Sequence, residues 1–386
     1  MTQTHYLDNA ATTKVSPAAV SAAVDAMERV YGNPSSQHTM GIEAETLVRR
    51  ARAQVAALIG CDADEIIFTS GATEADNLAL FGAAQAGIRR ARHIVTSSIE
   101  HPAVYDAAKR LEATGWEVDY VAPLPDGTIS PDAVARLVRG DTLMVSVMLV
   151  NNATGMLQPV DWIARAVKAI NGKTLIHTDA VQAVGKLPVE IDLLGVDMLS
   201  LSGHKMHAPK GVGALYIKKG TRLLPLIFGG GQENGMRSGT EAVALIAAMG
   251  EATREFREGL DKRVEHVRAL RDEARRLIGG IDGVSLINPG SIPHIMNICV
   301  PGYKSETLVH RLAQDGVFVS AGAACSGRTQ GQVKGKNKNR VLEEQGLDAS
   351  IIESFLRVSF SHENTLDDIH ALRQSLLIAI SSLRTK

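Results

Sequence analysis

An acidic residue, Asp179, and a lysine, Lys205, share the stretch Thr174–Lys205, TLIHTDAVQAVGKLPVEIDLLGVDMLSLSGHK. Two short apolar runs within it, Thr174–Thr178 and Asp197–Ser202, read as strands bounded by turn-forming residues. The first run releases Asp179 and Gln182 at its end; the second releases Ser202, His204 and Lys205. Ligands of an open parallel sheet sit beyond the carboxyl ends of its strands. A carboxylate and an amine delivered to that edge suit a cofactor that needs a negative partner at one end and a lysine at the other. Pyridoxal phosphate is such a cofactor, with a lysine bound to its aldehyde carbon and an acid beside its pyridinium nitrogen. The same pair also occurs as ordinary solvated groups in α/β proteins, so the assignment turns on what else reaches this edge.

Other chemistry-bearing residues follow other strands. Glu65–Ser70 (EIIFTS) reads as a strand, followed by Gly71-Ala72-Thr73 and a helix over Glu74–Phe81. A strand, a small-residue turn and a helix start present free N–H groups and a hydroxyl to an anion. The plainer alternative is a strand-to-helix turn with Thr73 as N-cap. The turn has neither the dinucleotide glycine pattern nor the P-loop lysine, which argues against a dinucleotide-binding oxidoreductase. Arg92–Ser97 is the next strand, and Pro102 in the first turn of the next helix leaves His101 near the ligand edge. There His101 either caps a helix or stacks on a ring and moves protons. The apolar run Thr142–Val150 suits a strand buried on both faces. It ends in Asn151-Asn152, which either form an Asx turn or, through Asn152, face a substrate carboxylate. Arg357 lies in the strand-like run Phe355–Phe360. Cys325 follows the small-residue run Ala321–Ala324; from the residues alone it reads equally as a nucleophile or an inert thiol.

The positioning elements alternate in type. Helices are expected over Val15–Tyr31, Ile42–Ile59 (stopped by Gly60), Pro131–Val138, Trp162–Ile170 and Thr307–Gln314. Strands are expected over Glu117–Ala122, Ile295–Val300 and Val317–Ser320. The run APKGVGALYIKK after Lys205 reads as a loop and an antiparallel strand, and Phe228–Glu233 as a flexible glycine loop. Glu241–Leu277 reads as one long charged helix or a helix pair, and a last helix follows Thr365. The polar segment Arg328–Arg340 has the composition of a mobile loop.

The 386 residues suit one large domain and a smaller one. Hydrophobic residues make up 45% and charged residues 22%, with Lys+Arg 41 against Asp+Glu 42. A net charge of -1 gives no electrostatic case for nucleic acid or membrane surfaces. No apolar stretch has the length of a membrane span, and the first residues lack the features of a signal peptide. Three cysteines, Cys61, Cys299 and Cys325, form neither a disulfide framework nor a metal-ligand spacing, so a reducing cytoplasm is expected. Cys61 and Cys299 read as small buried hydrophobes.

With these pieces in place the sequence resembles pyridoxal-phosphate cysteine desulfurases of the NifS/IscS kind, in the class V aminotransferase group. Nine blocks carry the resemblance in order: YLDNAATT, GNPSS, TSGATEADN, SSIEHPAV, NNATG, HTDAVQAVGK, SGHKMHAPKGVGALY, RSGTE and SAGAACSG. It implies an α/β PLP-dependent transferase of fold type I. Its large domain, residues 14–253, would carry a mostly parallel seven-stranded sheet, and residues 1–13 with 254–386 would form a smaller α/β domain. By the resemblance Lys205 bonds the cofactor, Asp179 pairs with its ring nitrogen, Gln182 meets its phenolic oxygen and His101 stacks on the ring. Ala72, Thr73, Ser202 and His204 would hold the phosphate, with Thr240 reaching across a homodimer, while Asn152 and Arg357 would hold the substrate carboxylate. Lys205 and His101 would move protons, and Cys325 would take sulfur from L-cysteine as a persulfide, releasing L-alanine.

The loop SAGAACSG departs from the SSGSACTS usual in IscS-type enzymes, and the SufS-type RTGHHC is absent. That leaves the sulfur-acceptor protein open among iron–sulfur assembly, tRNA thiolation and DNA phosphorothioation, as it leaves open an iron–sulfur cluster bridged at Cys325. Competing readings are a selenocysteine lyase or other PLP C–S lyase, an aminotransferase, and a catalytically silent sulfur-transfer scaffold.

Overall fold

The computed structural model describes residues 3–287, 292–322 and 339–383; Cys325 and most of the Arg328–Arg340 segment lie outside them. The chain opens with a short strand β1 (His5–Tyr6) and helices α1 (Pro17–Glu28) and α2 (Thr39–Ile59). Strand and helix then alternate through β2 (Ile66–Thr69), α3 (Ala72–Gly87), β3 (His93–Ser97), α4 (Pro102–Glu112) and β4 (Glu117–Val121). Next come α5 (Pro131–Leu137), β5 (Thr142–Ser146), α6 (Val160–Ile170), β6 (Leu175–Asp179), α7 (Ile191–Leu194), β7 (Met198–Ser202) and β8 (Gly213–Ile217). A long helix α8 (Val243–Gly279) leads to β9 (Ser285–Ile287), β10 (Ile295–Cys299), α9 (Ser305–Gln314) and β11 (Val317–Phe318). The chain continues as α10 (Arg340–Glu344), α11 (Ala349–Ser354), β12 (Phe355–Ser359) and α12 (Leu366–Leu383).

The large sheet has seven strands in the order β2-β8-β7-β6-β5-β3-β4. Only β8 runs against the rest, antiparallel to both β2 and β7, as expected for the run after Lys205. Its strands are apolar on both faces because helices cover both. Adjacent residues show the two-residue alternation. Phe68, Val145 and Leu199 pack with Val48, Val55, Ile246 and Phe256 from α2 and α8. Ile67, Met144 and Met198 pack with Leu78, Leu80, Val104 and Leu111 from α3 and α4. A further apolar core joins Leu7, Leu270, Ile298, Leu312, Leu356 and Leu376 around the antiparallel sheet β12-β10-β9.

Several elements depart from the sequence reading. Helix α2 begins at Thr39 because the His38 ring Nδ1 accepts from the Gly41 N–H at 3.3 Å. Helix α3 runs past Phe81 to Gly87, and the apolar run from Thr142 is a strand only to Ser146. Helix α8 changes course at Gly259, whose φ of -132° and ψ of 17° are not helical, so the helix-pair alternative holds. The glycine loop before Arg237 is anchored: Glu233, 5% exposed, takes both arms of Arg52 at 2.7 Å and the Phe68 N–H at 2.8 Å. Arg340 is packed rather than solvated, its guanidinium 3.7 Å from the centre of the Tyr105 ring. Cys299 is buried in β10, whereas Cys61 is only half-buried, its thiol pushed up to about 12 by burial. Among the described residues no helix is long and apolar enough to cross a membrane.

Candidate active site

A cavity of about 570 Å³ opens at the carboxyl ends of β5, β6 and β7. Its walls include Ala72, Thr73, His101, Asn152, Asp179, Gln182, Ser202, His204, Lys205 and Arg357. Ten of the residues singled out from the sequence therefore meet in one place. Two do not: Thr240 is exposed and outside this cavity, and Cys325 lies outside the described residues.

One end of the cavity is a helix start. Gly71 is the N-cap of α3 and caps with no side chain, so the first-turn N–H groups face outward with the positive end of the helix dipole. Thr73 is thus inside the helix and not its cap. Gly71 has φ +153° and ψ 175°, a region essentially restricted to glycine. Strand β8 presses against this turn: a Cβ at Gly213 would stand 2.7 Å from the Gly71 Cα. Ser202 and His204 close the other side, His204 Nδ1 lying 3.1 Å from the Thr12 hydroxyl. Burial, then the charges of Lys205 and Lys186, lower the His204 pKa to about 4. Glu74 would oppose an anion here, but its carboxylate turns to the Ser70 N–H and to Arg237 Nε, both at 2.9 Å.

The middle of the cavity carries the acid and the amine. Lys205 Nζ donates to the carbonyls of Ala10 (2.7 Å) and Ala11 (2.6 Å). Asp179 ends β6, 5% exposed, and accepts the Val181 N–H at 2.9 Å. Burial raises its pKa to about 6, while that hydrogen bond and Lys205 pull it down. Beneath it, Asp76 of α3 and His177 of β6 are fully buried, with 3.6 Å between His177 Nε2 and Asp76. Burial and the neighbouring Asp179 push Asp76 well above the usual carboxylate range, and burial lowers His177 to about 3, so the imidazole is neutral at pH 7. His101 both caps α4 and faces the cavity: its Nδ1 accepts the Ala103 N–H at 3.2 Å. Burial lowers its pKa to about 4, with Lys205 and Arg340 adding to the shift.

The third wall is a fork. Arg357, 1% exposed in β12, reaches from the smaller sheet and donates to the Asn152 carbonyl at 2.7 Å and to Asp8 at 2.9 Å. Its Nε has no partner among the described residues. The two readings of the asparagine pair divide between its members. Asn151 makes the Asx turn, accepting from Ala153 and Thr154 N–H at 2.9 Å, and Asn152 faces the cavity.

A model of the aminotransferase class-V family matches residues 5–372. The chain belongs to that family. A cysteine desulfurase IscS from Dictyoglomus turgidum is 38% identical over 383 residues, covering 98% of this chain and 95% of that protein. A solved NifS-like protein superposes with a TM-score of 0.91 at 36% identity, covering 98% of this chain and all of that one. SspA in complex with cysteine superposes with a TM-score of 0.80 at 30% identity, covering 94% of this chain and 100% of that chain. The class-V membership and these likenesses bear out the expected fold type I. The cofactor is pyridoxal phosphate. The cavity fits that group by its glycine-cradled helix start, its buried Asp179 and its cavity-facing Lys205.

Sequence reasoning missed several contributors. Asp8, Ala10 and Ala11 sit in the quoted block YLDNAATT, and that block was the available signal. Asp76 and Lys186 lay inside quoted blocks but carried no role. Met148 and Val150 line the cavity with no signal beyond their position after β5.

Proposed function

We infer that this class-V enzyme is a cysteine desulfurase. The observation that carries the reading is one cavity presenting Lys205, Asp179 and Arg357 together, in a chain similar over nearly its full length to cysteine desulfurases. When bound, pyridoxal phosphate supplies an aldehyde carbon for the Lys205 amine and a ring that withdraws electrons from the amino-acid Cα. The first turn of α3 at Ala72 and Thr73, with Ser202 and His204, would hold its phosphate, and Asp179 its ring nitrogen. Gln182 would meet its phenolic oxygen, and His101 would cover the ring. Arg357 and Asn152 bind and orient the α-carboxylate of L-cysteine. Lys205 and His101 hold and move the proton taken from Cα, with Lys205 accepting it: the low pKa of His101 keeps its imidazole neutral, and with Nδ1 accepting the Ala103 N–H its Nε2 carries a proton to donate. Cys325 attacks the substrate sulfur as a thiolate. The substrate C–S bond breaks, an S–S bond forms on Cys325, and the carbon skeleton leaves as L-alanine.

The persulfide passes to an acceptor protein. The enzyme works as a cytoplasmic homodimer in which Thr240 reaches the partner's cofactor phosphate; the exposure of Thr240, and of Phe228 at 79%, supports this. Residues 14–253 form the large domain, and 1–13 with 254–386 the small one, a division supported by the separate core that includes Leu7 and residues from Val267 onward. The test is sulfide and alanine release from L-cysteine with a reductant, for the wild type and Cys325→Ala. Equal release from the wild type with both lost in the variant is expected. Sulfide release by the variant at the wild-type rate would replace this reading with a C–S lyase.

A further inference from the structure

Behind the cavity lies a second lysine with no part in the chemistry above. Lys186 follows β6 by seven residues, its side chain folded inward and lining a small cavity of about 30 Å³ with Lys205, His207, His294 and His362. Its Nζ donates to the Gln182 side-chain oxygen at 3.1 Å, with the Val181 carbonyl at 3.4 Å. Gln182 in turn donates its Nε2 to the Ala10 carbonyl at 2.8 Å, the carbonyl that also takes Lys205 Nζ at 2.7 Å. One chain of hydrogen bonds thus runs from Lys186 through Gln182 and Ala10 to Lys205.

A lysine amine donates hydrogen bonds, whereas a carboxamide can present either its oxygen or its NH₂ to a neighbour. With Lys186 on one side, the Gln182 oxygen is committed inward and the NH₂ is turned toward Ala10 and the cavity. We propose that Lys186 is a positioning residue that fixes Gln182 as a hydrogen-bond donor to the cofactor's phenolic oxygen. The placement gives a role to a lysine whose pKa burial and the neighbouring cations Lys205 and Arg357 push well below the usual value. An apolar side chain would avoid that cost but leave the carboxamide free to turn over. Lys186 acts through Gln182 and need not touch the substrate. The proposal rests on the assignment of this cavity to pyridoxal phosphate.

The test uses the purified holoenzyme with Lys186→Met, whose unbranched apolar chain fills similar volume, and with Gln182→Met and the double variant. Three readouts are needed: bound cofactor per subunit, the position of the cofactor's visible absorption band, and kcat with KM for L-cysteine. Lys186→Met is expected to keep its cofactor, shift the band in the same direction as Gln182→Met, and lower kcat about 5- to 10-fold, the scale of one hydrogen bond. In the Gln182→Met background the same substitution is expected to move neither band nor kcat further. An unshifted band in Lys186→Met, or an equal additional effect in the Gln182→Met background, would overturn the proposal. Should Lys186→Met fold poorly, Lys186→Arg, which like lysine only donates, is expected to keep the wild-type band, and a shifted band there would count against the proposal. A wild type that binds no pyridoxal phosphate would instead defeat the assignment of the cavity.

Discussion

Asp179 can steady a protonated ring nitrogen only while it is ionised, and burial works against that by raising its pKa to about 6. Lys205 and the Val181 N–H already oppose burial, and a pyridinium cation beside it would add to them. Asparagine has the same shape and no charge. Asp179→Asn is therefore expected to retain cofactor but lose about 100-fold or more in kcat, measured as alanine release against cofactor content. Arg357 reads a carboxylate by geometry as well as charge, and its two described bonds, to Asn152 and Asp8, fix the plane of the fork. Lysine would keep the charge and lose the fork. Arg357→Lys is expected to raise KM for L-cysteine about 10- to 100-fold, the loss of a charged hydrogen bond; a KM within twofold of wild type would remove Arg357 from carboxylate recognition.

At the scale of elements, the site depends on how closely β8 approaches the start of α3. Gly213 has no room for a side chain, since a Cβ would lie 2.7 Å from both the Gly71 Cα and the Leu201 carbonyl oxygen. Gly71 has room, with only the Ser202 hydroxyl at 3.9 Å, but its φ of +153° suits glycine alone. The two alanine variants should therefore fail differently. Gly71→Ala is expected to cost about 1–3 kcal/mol of backbone strain and to reshape the phosphate end. Gly213→Ala must part β8 from the α3 turn, and is expected to lose cofactor on dialysis more completely than Gly71→Ala. Cofactor absorbance before and after dialysis distinguishes them, and equal retention by both would remove the close approach as the cause.

Across the whole molecule, burial sets opposite pH dependences. His101, His204 and His362 have pKa values lowered to about 4, His177 and His207 to about 3, and His294 well below its usual value, all with burial as the leading cause. The unfolded chain takes up these protons near pH 6.5 and the folded chain does not, so stability falls as pH drops below that value. Glu100, raised by burial to about 8, and Asp179 and Asp76, also raised, act the other way: the folded state keeps protons the unfolded state loses, so stability falls as pH rises through their window. Six histidines outweigh three carboxyls between pH 6.5 and 4. The urea midpoint of the apoprotein is therefore expected to be lower at pH 4.5 than at pH 6.5; the reverse order would show that the carboxyls dominate.

Much of this protein was legible in the chain itself because its information was local. Periodic apolar runs and turn residues mark the sheet strands and most helices, and the polar residues placed after β6 and β7 point to Asp179, Gln182, Ser202, His204 and Lys205. The antiparallel sense of β8 could be read in the same way. What the chain could not show was set by contacts between distant segments. Arg357 meets Asp8 across 349 residues and Asn152 across 205, and no periodicity encodes either pairing. The anchoring of Glu233 by Arg52, the raised pKa of Asp76 and the inward turn of Lys186 arise from packing and burial. Those depend on which elements lie side by side, and only the tertiary structure decides that.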